Sequence, residues 1–244
     1  MQRLLLTMRF DGTRYHGWQV QKNAVTVQQT LQDAIEKVTG VRSGVTGCSR
    51  TDAGVHANMF CCTFDTESRL RGNSMISALN ANLPDDIAVY GCSEVPASFH
   101  PRYSAVGKRY RYYIWNSPAR NPFWEKYSLH LRWHLDVDLM NEAAAGFLGR
   151  HDFSSFCAAG SSVKDTVRAI NRCSVERDGE LVVFTAEGDG FLYNMVRIMV
   201  GTLLEIAAGK REKDCIPSVI AAKNRECAGA TAPAKGLFLD KVFY

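Results

Sequence analysis

The sequence predicts an α+β fold in two similarly built halves, residues 1–104 and 105–244. Three observations carry that reading. Runs with strand character and runs with helical character alternate through both halves. The segment CSVERDGELVVFTAEG holds the best hairpin signal in the chain, with Asp178-Gly179 at its turn. A chain of 244 residues can also bury a sizeable core, as one large domain or two smaller ones.

In chain order, residues 3–10 (RLLLTMRF) read as a strand. Residues 26–39 (TVQQTLQDAIEKVT) read as an amphipathic helix. Thr26 and Gln29 form its capping box, Val27, Leu31, Ile35 and Val38 line one face, and Gly40 ends it. ANMFCCTFDT follows as a strand, NSMISALNANLP as a short helix stopped by Pro84, and IAVYGCSEV, at 87–95, as another strand. This first half resembles a split βαβ unit. The linker PASFHPRYSA leads to VGKRYRYYIWN, an aromatic and basic strand, and residues 139–149 (LMNEAAAGFLG) suggest a helix ending at Gly149. After the hairpin, FLYNMVRIMVGTLLEIAAG reads as one long apolar helix. A helix started by Pro217 and a final strand, GLFLDKVFY, complete the chain.

Composition narrows the function classes. Hydrophobic content of 46% and charged content of 22% suit a soluble globular protein. A net charge of +4 permits a polyanionic partner without requiring one, and basic residues cluster in KRYRYY at 108–113 and HPRY at 100–103. Leu4–Leu6 is too short a run for a signal-peptide core, and no stretch is long enough to span a bilayer, so a cytoplasmic protein is expected. The eight cysteines are scattered with no C-x-x-C pair, which favours reduced thiols over disulfides. Asp11-Gly12-Thr13 has the look of an aspartate-nucleophile phosphatase loop, but Arg9 stands where a second Asp is needed. His130 and His134 are spaced like zincin ligands, but Leu131 replaces the required Glu. Neither a metal nor a nucleotide cofactor is expected.

Three constellations remain. In GCSRTDAGVHA, at 47–57, Arg50 and Asp52 stand in a loop bounded by Gly47 and Gly54, either as a solvated ion pair or as chemistry. In the strand 106–116, Val106, Lys108, Tyr110, Tyr112 and Ile114 share one face, and Arg109, Arg111, Tyr113 and Trp115 the other. Interleaved cations and rings suit nucleic acid, though they also suit an ordinary aromatic-rich strand. Residues 191–207 are apolar on nearly every side, and Arg197 is the sole cation among them. Glu205, two turns away, is too far to be its partner, so Arg197 calls for an anion from elsewhere, or else reaches a structural carboxylate or solvent.

Together these segments resemble a known family. GCSRTDAGVHA is similar to the G-x-G-R-T-D-x-G-V-H-A signature of the TruA-type tRNA pseudouridine synthases. FDGTRYHGWQ, NANLPDDIAV, FHPRYSAVGKRYRY, HDFSSF, FLYNMVRIMVG and AKGLFL resemble that family's other motifs, in its order and over essentially the whole chain. One departure is Ser49, where the pattern usually has Gly. The resemblance implies the pseudouridine synthase fold, with mainly antiparallel sheets and a cleft between the halves. It implies an isomerase that needs no cofactor, acts on uridines 38, 39 and 40 in the tRNA anticodon stem-loop, and works as a homodimer.

The resemblance also assigns residues. Asp52 matches the catalytic aspartate, the family's nucleophile. The residues leave open whether it attacks the sugar, adds to the base or removes a sugar proton. Arg197 matches the basic residue on the long helix, the ion-pair partner of Asp52. Tyr110 matches the active-site tyrosine against the target base, and Arg50 the residue that fills the space of a flipped nucleotide. Two rivals stand beside this reading. A non-catalytic tRNA-binding protein or folding chaperone would use the same basic strand, and a hydrolase would release the base but needs a second carboxylate.

Overall fold

Alternating burial along the first strand sets the core of the N-terminal part. Leu4, Leu6, Met8 and Phe10 of β1 (Gln2–Phe10) are buried, while the residues between them are not. The computed structural model describes residues 1–161 and 163–244, and the chain divides into two units. Unit 1 holds residues 1–106 and 238–244, and unit 2 holds 107–237. The final strand therefore returns to the N-terminal unit, whereas its position in sequence groups it with the second half.

Unit 1 contains β1, α1 (Val27–Thr39), β2 (Val45–Gly47), β3 (His56–Thr66), α2 (Gly72–Asn80) and β4 (Ile87–Val95). Strand β1 lies between β3 and β4, antiparallel to both, with Leu5 opposite Thr63 and Leu6 opposite Cys92. Strand β2 pairs antiparallel with β3. The closing strand of the chain, Leu237–Phe243, runs parallel to β3, setting Phe238 opposite His56. That parallel pairing draws the C-terminus into unit 1. Helix α1 starts as its sequence dictates, with Thr26 accepting from Gln29 N, and ends on Gly40 at φ 77°. Val27, Leu31, Ala34 and Ile35 are its buried stripe, and Val38, in the last turn, is only half-buried.

Unit 2 contains β5 (Gly107–Asn116), β6 (Leu129–Leu131), α3 (Val137–Ala144), β7 (Gly149–Asp152), β8 (Val167–Asp178), β9 (Leu181–Gly188), α4 (Met195–Ala207) and α5 (Ile216–Ala222). Strands β5, β9, β8 and β7 form an antiparallel run in that order, with β6 parallel to β5. Asp178 pairs with Leu181, so the hairpin turn is Gly179-Glu180, with Gly179 at φ 59° as the first central residue requires. Nine residues of α4 are buried, and the segment 229–232 lies against it. Gly201 permits that approach, because a Cβ there would sit 1.7 Å from the Ala230 carbonyl oxygen.

Asp152, in the HDFSSF segment, ties β7 to its neighbours. The Thr166 hydroxyl above all, then the Lys223 ammonium and Ser154 N–H, hold its carboxyl down at about 2, against the opposing effect of burial. A folded-state value below the ordinary 3.8 adds stability that is present above pH 3.8 and lost as pH falls towards 2. Asp152→Asn is expected to lower stability by roughly 1–2 kcal/mol at neutral pH, allowing for its partial exposure. The deficit should shrink at the acid end, as urea unfolding at the two pH values will read. An undiminished deficit in acid would contradict the assignment.

Candidate active site

The R-T-D loop spans the eight residues from Cys48 to Val55, between β2 and β3. It has no regular structure of its own, so its shape depends on what grips it. Cys48 is buried, its N–H donates to the Cys61 carbonyl at 2.8 Å, and its sulfur receives the Cys61 N–H at 3.4 Å. Val55 N donates to the Asp52 carbonyl, and Gly54 takes φ 76°, closing a tight turn around Asp52. Thr51 and Val55 are buried, Asp52 is half-buried and Arg50 is exposed. Ser49 keeps a loop contact, its hydroxyl donating to the Arg50 carbonyl at 3.4 Å.

The grip comes mainly from FDGTRYHGWQ. Trp18 N donates to the Thr51 carbonyl, and Gly54 N donates to that of Tyr15, each at 3.2 Å. Two glycines let the segments approach. A Cβ on Gly12 would fall 2.0 Å from the Val55 carbonyl oxygen, and one on Gly17 would fall 2.2 Å from that of Thr51. Behind them, Asp86 of the NANLPDDIAV segment accepts from the Tyr15 hydroxyl at 2.6 Å and from Arg14 Nε at 2.7 Å. Burial first, and then this bond, push the Tyr15 hydroxyl well above its ordinary range, so it stays a donor. At the far end of the loop, His56 is fully buried, accepts from Gly12 N at 3.1 Å and stacks on Phe238 at 4.5 Å. Gly12→Ala is expected to destabilise unit 1 by about 1–3 kcal/mol or more, because backbone would have to move. Wild-type stability in urea for that variant would contradict the packing.

In unit 2, β5 carries the basic and aromatic face. Tyr110, Tyr112 and Ile114 are buried, and their neighbours along the strand are half-buried. Tyr110 lies edge-on to Phe191 at 5.0 Å, and the Tyr112 hydroxyl donates to the Pro233 carbonyl at 2.8 Å. Burial pushes the Tyr112 hydroxyl up, and the Arg197 charge opposes that shift, which sets Arg197 near this strand face. Arg109, one of the interleaved cations of the strand, pairs across the sheet with Glu187 at 2.7 Å. Its charge is largely spent inside unit 2.

Helix α4 begins at Met195, not at Phe191 as the continuous apolar run suggests. Asn194, at φ 59°, turns the chain out of the helix. Arg197 is half-buried in its first turn. Its Nε donates to the Ala232 carbonyl and its Nη1 to Asn194 Oδ1, each at 2.7 Å. Both acceptors are neutral, so they aim the guanidinium without neutralising it. Glu205, as its distance along the helix implies, belongs elsewhere and binds Arg211. Arg50 and Asp52 thus stand in unit 1, and Tyr110 and Arg197 in unit 2. Sequence reasoning missed Gly12, Tyr15, Gly17, Asp86, Phe191 and Asn194; the glycine pair in FDGTRYHGWQ was the available signal for Gly12 and Gly17 alone.

Among the described residues, no group of three His, Cys, Asp or Glu side chains could hold a metal ion, and no helix is long and apolar enough to cross a membrane. His130 is bound through Nε2 to the Ser117 carbonyl at 2.8 Å.

An R-T-D loop clamped in one unit, with an aromatic strand and an oriented arginine in the other, are parts suited to RNA-modifying chemistry. A family profile described as tRNA pseudouridine synthase matches residues 6–104 and 143–244. The chain is 49% identical to a tRNA pseudouridine synthase A of Acetivibrio thermocellus, over the full length of both. Those of Ruminiclostridium cellulolyticum and Brevibacillus brevis are each 47% identical, again over both full lengths. A chain of a solved Cbf5–Nop10–Gar1 complex aligns with 96% of this chain and 57% of its own, at TM-score 0.38 and 11% identity. The chain belongs to the tRNA pseudouridine synthase family.

Proposed function

We propose that this isomerase converts uridine to pseudouridine at positions 38, 39 and 40 in the anticodon stem-loop of tRNA, with Asp52 as its catalytic carboxylate. The observation that carries the proposal is the R-T-D loop itself. Buried neighbours grip it on both sides of Asp52 and leave that side chain half-buried at a turn. A solvated surface pair would need no such clamp.

In the reaction, the bond between C1′ and N1 breaks, the base turns, and C5 joins C1′. C5 loses its proton and N1 gains one, so atoms balance without a redox partner or a cofactor. Asp52 supplies the ionised carboxylate. Arg197 is its counter-charge, favouring the charged form in a pocket whose desolvation opposes it. Tyr110, held edge-on by Phe191, lies against the target base, and its hydroxyl helps move the C5 proton. Arg50, exposed beside Asp52, fills the gap left by the flipped nucleotide. Lys108 and Arg111 are the β5 cations that meet phosphate, with Arg109 contributing less because of Glu187. The protein acts in the cytoplasm as a homodimer, each tRNA touching both subunits.

The test is purified protein on unmodified tRNA transcript carrying uridine tritiated at C5. Tritium release without free base, and without added cofactor, is the expected outcome. Release of uracil would favour a hydrolase, and tight binding with no release a non-catalytic binder.

A further inference from the structure

We propose that Asn194 is a positioning residue that fixes the guanidinium of Arg197. The inference rests on the reading that Arg197 serves Asp52. Asn194 stands at the N-cap of α4, where an Asn side chain ordinarily accepts from one of the first free helix N–H groups. Here it makes no such cap. Its Oδ1 accepts from Arg197 Nη1 at 2.7 Å, and its backbone takes the left-handed conformation, φ 59° and ψ 7°.

That conformation is unusual outside glycine, and Asn is among the few other residues that adopt it readily. Only one other described non-glycine residue has positive φ, Lys223, at the C-cap of α5, where such a conformation is common. At a helix N-cap, the usual backbone is extended, as at Thr26 and Asp136 of this chain. Asn194 therefore departs from the local optimum twice, in backbone and in capping, and what it gains is a bond to Arg197.

The second anchor is independent. Arg197 Nε donates to the Ala232 carbonyl at 2.7 Å, and Ala232 N returns a bond to the Arg197 carbonyl at 3.1 Å. One anchor on Nε leaves a flexible side chain free to swing about that point. A second on Nη1 fixes the plane of the guanidinium. The two together determine where its charge is presented.

The variants follow from the geometry. Asn194→Gly keeps the left-handed backbone at no steric cost and removes the amide. Asn194→Asp keeps an acceptor but adds a negative charge that competes for Arg197. Because a hydrogen bond to a charged group is involved, Asn194→Gly is expected to lower kcat by about tenfold or more, with the KM for tRNA and the thermal midpoint near wild type. Asn194→Asp should lower kcat further. In an Arg197→Met background, which removes the group being positioned, Asn194→Gly should have no added effect on the residual rate.

Outcomes separate the two levels of the argument. If Arg197→Met is fully active, the role of Arg197 fails and this inference falls with it. If Arg197→Met is crippled but Asn194→Gly keeps wild-type kcat, the role of Arg197 stands and positioning by Asn194 is overturned. A rise in KM with unchanged kcat would likewise overturn it, and so would equal losses from Asn194→Gly in the presence and absence of Arg197. Should Asn194→Gly fold poorly, the comparison of Asn194→Asp in the two backgrounds carries the same decision.

Discussion

Asp52→Asn will bind tRNA as wild type does and will not turn it over. The amide is nearly isosteric, and the loop around it is held by backbone bonds and by Trp18, Tyr15 and Gly17, none of which uses the Asp52 side chain. Local structure should therefore survive. An amide can serve neither as a carboxylate nucleophile nor as a base, so the expected loss is at least about 10⁴-fold in turnover. Tritium release from C5-labelled tRNA measures the rate, and a filter-binding curve measures the affinity. Turnover within tenfold of wild type would remove Asp52 from the chemistry. A collapse of affinity together with rate would make it a binding residue instead.

Arg197→Met will lose most activity and some stability, for separable reasons. Within unit 2, the change deletes the bonds to Ala232 and Asn194 and leaves one buried and one half-buried residue with an unpaired acceptor behind. That is worth about 1–3 kcal/mol of folding stability. On the proposed pairing, activity falls because Asp52 loses its counter-charge. Its pKa then rises, so the acid limb of the rate profile should move to higher pH. The two effects are told apart by pairing the change with Asp52→Asn. If the charges meet, the double variant should be less destabilised than the sum of the singles, since neither charge is left alone. Strict additivity in urea unfolding would mean that Arg197 serves some group other than Asp52.

Much of the fold was legible because local chemistry agreed with the final structure. Thr26 and Gly40 bracket α1 in sequence and cap it in space. The alternation in KRYRYYIWN survives as the buried face of β5. The errors share a physical origin. The apolar run from Phe191 to Ala207 has one hydropathy but two conformations, because a single positive φ at Asn194 separates a turn from a helix. Asn194 is the one polar mark at that change, and a single amide does not break the apolar pattern. Short β6 and β7 carry too few residues to show a period, and tertiary pairing alone defines them.

For the candidate site, residue types were legible and neighbours were not. Arg50, Asp52, Tyr110 and Arg197 stand out by motif, but most of their supports, Asn194 beside Arg197 apart, lie far off in the chain. Gly12 is spaced for the Val55 carbonyl, and Asp86 for Tyr15, through contacts that no local window contains. Register sets Arg109 opposite Glu187, a pairing that the spacing of the strand's own residues does not show. The C-terminal strand follows the same rule. It lies last in sequence, yet its parallel pairing with β3 stacks Phe238 on His56, at the end of the R-T-D loop.

The most direct measurement is a pseudouridine map of total tRNA from cells lacking this protein, with complementation by the wild-type chain or by Asp52→Asn. Pseudouridine at positions 38, 39 and 40 should disappear on deletion, return with the wild-type chain, and stay absent with Asp52→Asn expressed at the same level. Unchanged sites on deletion, or full restoration by Asp52→Asn, would contradict the assignment of this reaction to this carboxylate.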